Sequence, residues 1–398
     1  MKKAGDFKVL FLAMIFGALI ISYLVFQGKI ERFSIVILTI YGLIFLKNRK
    51  NVNARYGSIV IIGTLLGIIL CNYSLFFFEY ELNIKKEPIS IQEPLDTAIL
   101  LVFNGEPEKY DLPIFIHNLN RKGQIKNKVL APFALFKYKR IYERVGISRY
   151  NDMSKSISSK LSNQLDHGYD VFVSYMYNKP YYKEVINQKI IKGNYGKIII
   201  VPVYTMESKD YVRITNELEM EMLYQKNRML KFMDPLWDSE KIPQSMAKDI
   251  YRSIPVSEKN NIGIILMGQG FGSINKENIE PKVINQERLF MEKIKKCLVE
   301  NGLEDRRIKF ITSYPKDEEI KNALAELQQY GVATIFIVGT NDITDKLQDQ
   351  YAIQKIIRKF KGIEETNVKY IKGWGNNNSV VQELEFRIRL INVGKWNE

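Results

Sequence analysis

Between residues 98 and 338 the chain six times sets a short, almost wholly apolar run ahead of a longer stretch, and this rhythm restricts the fold more than any other feature. The runs lie at 98–103, 171–175, 198–203, 262–267, 308–312 and 334–338. They are too short for buried helices and rich in Val, Ile and Phe, the pattern of strands covered on both faces. Segments 152–166, 211–229, 285–301 and 316–330 carry helical periodicity between them. Strands covered on both faces and alternating with helices require a parallel sheet with helices on each side, an α/β fold.

The order repeats. A strand ending in Asn104-Gly105 opens one set, and a strand ending in Gly268-Gln269-Gly270 opens the next. Two similar Rossmann-like halves, 98–245 and 246–398, are expected to form one integrated unit. Its cleft should lie at the carboxyl ends of the strands, where open α/β sheets bind ligands. A polar linker, 83–97, precedes the first half.

The first 82 residues read differently. Apolar runs at 9–26 and 57–78, about 18 and about 22 residues long, can each cross a hydrocarbon core of roughly 30 Å. A third run at 33–46 spans only about 14 residues, but Arg32 and Lys47 at its ends can snorkel and extend its reach. Three spans put Lys2, Lys3 and Lys8 on the same side as Lys47, Arg49, Lys50 and Arg55. By the positive-inside rule that side is cytoplasmic, so a multi-pass membrane protein with an extracytoplasmic large domain is expected. Two spans would instead export the basic 47–55 loop and keep the domain in the cytoplasm. The first run also reads as an uncleaved signal sequence, since no small-residue cleavage site precedes Gln27-Gly28-Lys29.

The formal charge is +14, but Lys and Arg are interleaved with acids instead of clustered. That distribution suits a basic surface beside an anionic bilayer and gives no phosphate-tracking stripe, so nucleic acid is not an expected partner. Of two cysteines, Cys71 lies in the third apolar run and Cys297 is alone in the α/β part. Neither a disulfide framework nor a cysteine metal site follows.

Several strand ends carry motifs. Leu100-Leu101-Val102-Phe103-Asn104-Gly105-Glu106-Pro107, Ile116-His117 with Arg121-Lys122-Gly123, Tyr142-Glu143-Arg144-Val145-Gly146-Ile147-Ser148, the strand end reaching Tyr204, and Met233-Asp234-Pro235-Leu236-Trp237 occur in this order. Together they resemble the ferrochelatase family, class II chelatases that insert a divalent metal into a porphyrin. The first resembles the family's opening strand and its Tyr-Gly-Thr-Pro turn, and the others resemble its basic stretch, its Tyr-x-x-Ile-Gly-Gly-x-Ser segment, its Leu-Ala-Pro-His-Phe strand end and its Trp-Tyr-Asp-Glu-Pro-like stretch. The resemblance runs from about Ala98 to about Lys359. It implies a chelatase fold and a porphyrin or haem-like ligand, with Asn104, Gly105, His117, Arg121, Tyr204, Gly268, Gln269, Gly270 and Gln348 as ligand-binding candidates.

The departures bear on the chemistry. The family's Ser-Ala-His corresponds to Met267-Gly268-Gln269, its Asp-His-Leu-Glu to Asp345-Lys346-Leu347-Gln348, its turn tyrosine to Asn104, and two members of its acidic ladder to Ala352 and Ile356. Metal insertion removes two pyrrole N–H protons, which need an imidazole or carboxylate acceptor near neutral pH. A glutamine amide donates and accepts hydrogen bonds but takes no proton. The resemblance therefore implies a tetrapyrrole-binding pseudoenzyme. The alternatives are an active, divergent chelatase using Asp345, Asp349 or His117 as base, and a non-enzymatic membrane scaffold with an empty cleft.

Other features favour structural roles. The glycines of 268–272 lack the spacing of a dinucleotide fingerprint. Asp342, Asp345 and Asp349 could share a helical face and hold a hard cation, though a capping aspartate and a solvated face explain them more simply. His167 reads as a helix-end residue. The tyrosines at 175, 177, 181 and 182 read as an aromatic cleft or as core packing.

Overall fold

A computed structural model describes residues 2–47, 54–82, 95–122, 130–193, 195–222, 229–255, 261–268, 280–312, 317–340, 346–360, 367–371, 373–375 and 377–396. The chain divides into two compact units, one of residues 1–81 with 109–146 and the other of 82–108 with 147–398.

The first unit is helical. It contains α1 (Lys2–Val25), α2 (Lys29–Lys47), α3 (Ala54–Leu75), α4 (Leu112–Lys122) and α5 (Ala131–Val145). Segments 6–25 and 54–78 are long and apolar enough to cross a membrane, whereas α2 is apolar through its middle but bears Lys29, Glu31, Arg32 and Lys47 at its ends. The contacts between α1 and α3 advance together along both sequences. Asp6 pairs with Arg55 at 2.5 Å, Gly67 lies against the Met14 carbonyl, and Cys71 Sγ reaches the Ala18 carbonyl at 3.7 Å. The two helices therefore run parallel. Their approach is closest at glycines: a Cβ on Gly67 would lie 2.0 Å from the Met14 carbonyl oxygen, and one on Gly17 would lie 2.2 Å from that of Thr64. Small residues allow such backbone proximity between apolar helices.

The α1–α2 turn is fastened by Lys139 of α5, which is fully buried. Its ammonium donates to the carbonyls of Tyr23 at 2.5 Å and Phe26 at 3.1 Å and to Glu31 Oε1 at 3.1 Å. Carbonyls at a helix C-terminus lack intrahelical donors, so a cation there satisfies them and complements the macrodipole. The sequence reading placed 109–146 in the first α/β half. The amphipathic pattern of α4 and α5 shows only that one face is buried, and that face meets the apolar helices.

The second unit holds two four-stranded parallel sheets. The first comprises β1 (Leu95–Phe103), β2 (Tyr169–Tyr175), β3 (Tyr195–Pro202) and β4 (Met229–Phe232), ordered β2-β1-β3-β4. The second comprises β5 (Ile262–Met267), β6 (Ile308–Ile311), β7 (Thr334–Gly339) and β8 (Asn367–Ile371), ordered β6-β5-β7-β8. The orders are equivalent, which gives the expected pair of similar halves. Residues 95–97, assigned to the linker by sequence, already belong to β1.

Strand side chains alternate between faces. In β1, Ile99, Leu101 and Phe103 enter a core shared with Ile262, Ile264 and Leu266 of β5, while Ala98, Leu100 and Val102 face α7 (Tyr182–Val185) and α8 (Lys209–Met222). The shared core also takes α6 (Tyr150–Gln164), α9 (Lys241–Ser253), α10 (Pro281–Glu300) and α13 (Asn378–Val393). On the far face of the second sheet lie α11 (Asp317–Gln329) and α12 (Leu347–Phe360). Although α13 follows the second sheet, it fastens to the first: Arg389 donates to the Gln164 carbonyl at 3.0 Å and Asn392 to the Tyr169 hydroxyl at 2.7 Å.

Candidate functional site

In each sheet the chain turns outward from its first strand to one side and then to the other, which makes a switch point between β1 and β3 and another between β5 and β7. Crevices at the carboxyl ends of such strand pairs are the binding places of α/β sheets. At the first, the Tyr204 hydroxyl donates to the Asn104 side-chain oxygen at 2.9 Å, and both residues are buried. Gly105 has φ +78°, and a Cβ there would lie 2.6 Å from Tyr175 Cβ. The left-handed backbone and the neighbouring ring both favour glycine at this turn.

At the second switch point the Gly268 N–H donates to the Ile311 carbonyl at 2.8 Å, and Thr340 donates to the Met267 carbonyl through both its N–H and its hydroxyl. A Cβ on Gly268 would fall 2.3 Å from the carboxyl of Glu287, a fully buried residue of α10. Sequence reasoning missed Glu287. Its signal was available: it lies in register with the buried stripe Val283, Phe290, Met291, Ile294 and Leu298, where a carboxylate is out of place.

Two ties join these strand ends across the unit. The Glu207 N–H donates to the Gln286 side-chain oxygen at 2.9 Å, linking the loop after β3 to α10. Glu106, immediately after Gly105, accepts the Ser148 hydroxyl at 2.6 Å and the Leu347 N–H at 3.1 and 3.0 Å. Leu347 opens α12 and is followed by Gln348, so Glu106 meets the helix N-terminus that carries this candidate. Burial pushes its carboxyl up to about 7, with Ser148, Leu347 and Lys346 opposing the rise and Asp349 adding to it. Glu106 was also missed. The signal was an acid where the resembling turn has threonine.

Not all the sequence candidates gather here. His117 and Arg121 lie on α4 in the helical unit, where His117 Nδ1 is 3.3 Å from Glu79 Oε1 and its ring meets Tyr80 edge-on. Their helix was drawn to an apolar partner that motif order does not reveal. Gln269, Gly270, Asp342 and Asp345 lie outside the described residues. Asp349 is in the first turn of α12, and among the described residues no group of three or more His, Cys, Asp or Glu is placed to hold a metal. The tyrosine cluster packs within the core: Tyr175 meets Ser154 at 2.8 Å, Tyr177 bonds to Asp210, and Tyr182 donates to Glu217 at 2.5 Å.

Residues 96–267, covering β1 through β5, match the family model described as ferrochelatase. That segment is ferrochelatase-like. The ferrochelatase match stops at the last residue of β5, so the correspondence of Gln269 and Gln348 to the family's histidine and glutamate rests on the sequence motifs. Among solved structures the chain is similar to the sirohydrochlorin chelatase SirB from Bacillus subtilis subspecies spizizenii in complex with cobalt, at 11% identity and a TM-score of 0.47, over 74% of this chain and 94% of that one. It is similar to SirB from Bacillus subtilis with Fe3+ at 17% identity and a TM-score of 0.47, over 74% and 95% of the two chains. It is also similar to DR2241 from Deinococcus radiodurans, a multi-domain protein with structural similarity to chelatases, at 12% identity and a TM-score of 0.44, over 73% and 55%. No curated protein matches the chain.

Proposed function

We propose that this chain is a membrane-tethered, ferrochelatase-like protein that takes a tetrapyrrole at the carboxyl ends of its strands without inserting metal at a useful rate. The observation that carries the reading is the Asn104–Tyr204 bond at the β1/β3 switch point, inside the segment that matches the ferrochelatases. The glutamines at 269 and 348 retain hydrogen-bonding capacity and remove proton acceptance. Full-length protein in detergent micelles, titrated with protoporphyrin, should show a saturable shift of the porphyrin absorbance band that Tyr204→Phe together with Asn104→Ala weakens several-fold. An unshifted band at all protein concentrations would overturn the reading.

The bilayer is the proposed partner of the helical unit. Supporting this, α1 and α3 leave Phe7, Phe11, Ile61, Ile62, Leu65 and Ile69 exposed, a band too apolar for water. Their parallel direction supports a third crossing, because the chain must return the full length of α1 before α3 begins, and the 19 residues of α2 cover roughly 28 Å. Three crossings place the basic 47–55 loop in the cytoplasm and the α/β unit outside it. In a Cys71→Ser, Cys297→Ser background, a membrane-impermeant maleimide applied to intact cells should label Lys86→Cys and spare Asn51→Cys. The opposite pattern would reverse the orientation.

A further inference from the structure

We infer that Glu106 is a positioning residue for the ligand site, its carboxyl tying the strand-end turn of Asn104 and Gly105 to the helix start that carries Gln348. The inference deepens the tetrapyrrole reading and rests on it. Three observations carry it. The tie joins groups 241 residues apart in sequence and uses both carboxyl oxygens on one backbone N–H. Ser148 fixes the carboxyl from the segment leading into α6, and its own N–H is held by the Glu108 carbonyl at 3.0 Å. The Asn178 amide donates to the Glu106 carbonyl at 3.2 Å, so backbone and side chain are clamped from different elements.

The tie has a built-in pH response whose sign follows from its surroundings. The groups acting on the carboxyl are Ser148 and the Leu347 N–H by hydrogen bond, and Lys346 and Asp349 at the start of α12 by charge. Enclosed, the carboxyl holds its proton up to about pH 7; released into water it returns to the ordinary 4.5. The closed tie therefore binds a proton that the open one gives up. Closure is favoured fully below the ordinary value, loses ground as pH rises toward about 7, and levels off beyond it. The limit set by those two values is roughly a 300-fold change in the opening equilibrium. The acid form keeps both contacts, accepting from Leu347 through its carbonyl oxygen and bonding Ser148 with either group as donor.

The test uses full-length protein in detergent micelles. Amide exchange of the 346–352 segment, corrected for intrinsic chemistry, should show opening that rises at least tenfold between pH 5 and pH 8. Glu106→Gln, neutral throughout and able to accept from Leu347, should stay protected with no pH slope, and Glu106→Ala should be open at every pH. Protoporphyrin affinity should fall over the same range in the natural chain and remain level in the Gln variant. A flat exchange profile in the natural chain, or an unchanged slope in Glu106→Gln, would overturn the inference even if Glu106→Ala fails to fold. A sloping exchange profile without porphyrin binding would instead sink the tetrapyrrole reading and leave the tie as a structural clasp.

Discussion

Given protoporphyrin and Zn2+ in micelles, the full-length chain should metallate the macrocycle no faster than buffer does, while still shifting its absorbance. The two N–H nitrogens of the macrocycle must each lose a proton as the metal binds, and positioned acceptors typically contribute about 10²–10⁴-fold. At the two positions that resemble the family's acceptors this chain carries Gln269 and Gln348. Gln269→His with Gln348→Glu should raise the rate at least tenfold, short of full recovery because Ala352 and Ile356 stand where the family's acidic ladder continues. Brisk insertion by the natural chain would show that another group takes the protons. Substituting Glu106, Glu287 and Asp349 in turn would then find it.

The second large effect is expected in the helical unit. Lys139→Ala should destabilise that unit by about 3–5 kcal/mol, the range for breaking one partner out of a buried ion pair. Its loss strands Glu31 and leaves the carbonyls of Tyr23 and Phe26 without their donor. The ammonium also lies 5.0 Å from the Tyr23 ring centre and 5.3 Å from that of Phe136, contacts that disappear with it. Lys139→Met with Glu31→Gln should recover much of the loss by removing both charges while keeping volume. Helix content followed through an SDS titration in mixed micelles reads the difference. Equal midpoints for Lys139→Ala and the natural chain would show the buried ammonium to be energetically idle.

Central strands were legible in the sequence because burial on both faces writes an unbroken apolar run, as in Ile262–Met267. Of the four edge strands, β4 and β8 were not. Met229–Phe232 contains Lys231 and is half-buried throughout, so it reads as the tail of the preceding helix, which ends at Met222. Asn367–Ile371 mixes Asn and Lys with its apolar residues for the same reason. Local pattern also announced the amphipathic faces of α4 and α5 without saying what covers them. Asn104, Gly105 and Tyr204, which the fold gathers at one strand-end crevice, could be nominated from sequence because strand-end motifs are local. Glu106 and Glu287 escaped because their significance depends on neighbours that only the folded sheet brings near, Leu347 for one and Gly268 for the other.

The position of α13 bears on how the chain matures. The first sheet is finished by the last helix, since Lys231 of β4 donates to the carbonyls of Ile391 at 2.9 Å and Gly394 at 3.0 Å. Nearly three hundred residues separate β1 from that helix, roughly 15–60 s of synthesis at ordinary elongation rates. During that interval the nascent first sheet has an uncovered apolar flank, the kind of surface that favours aggregation until it is covered. A stop codon ahead of residue 378 would leave that flank of the first sheet uncovered.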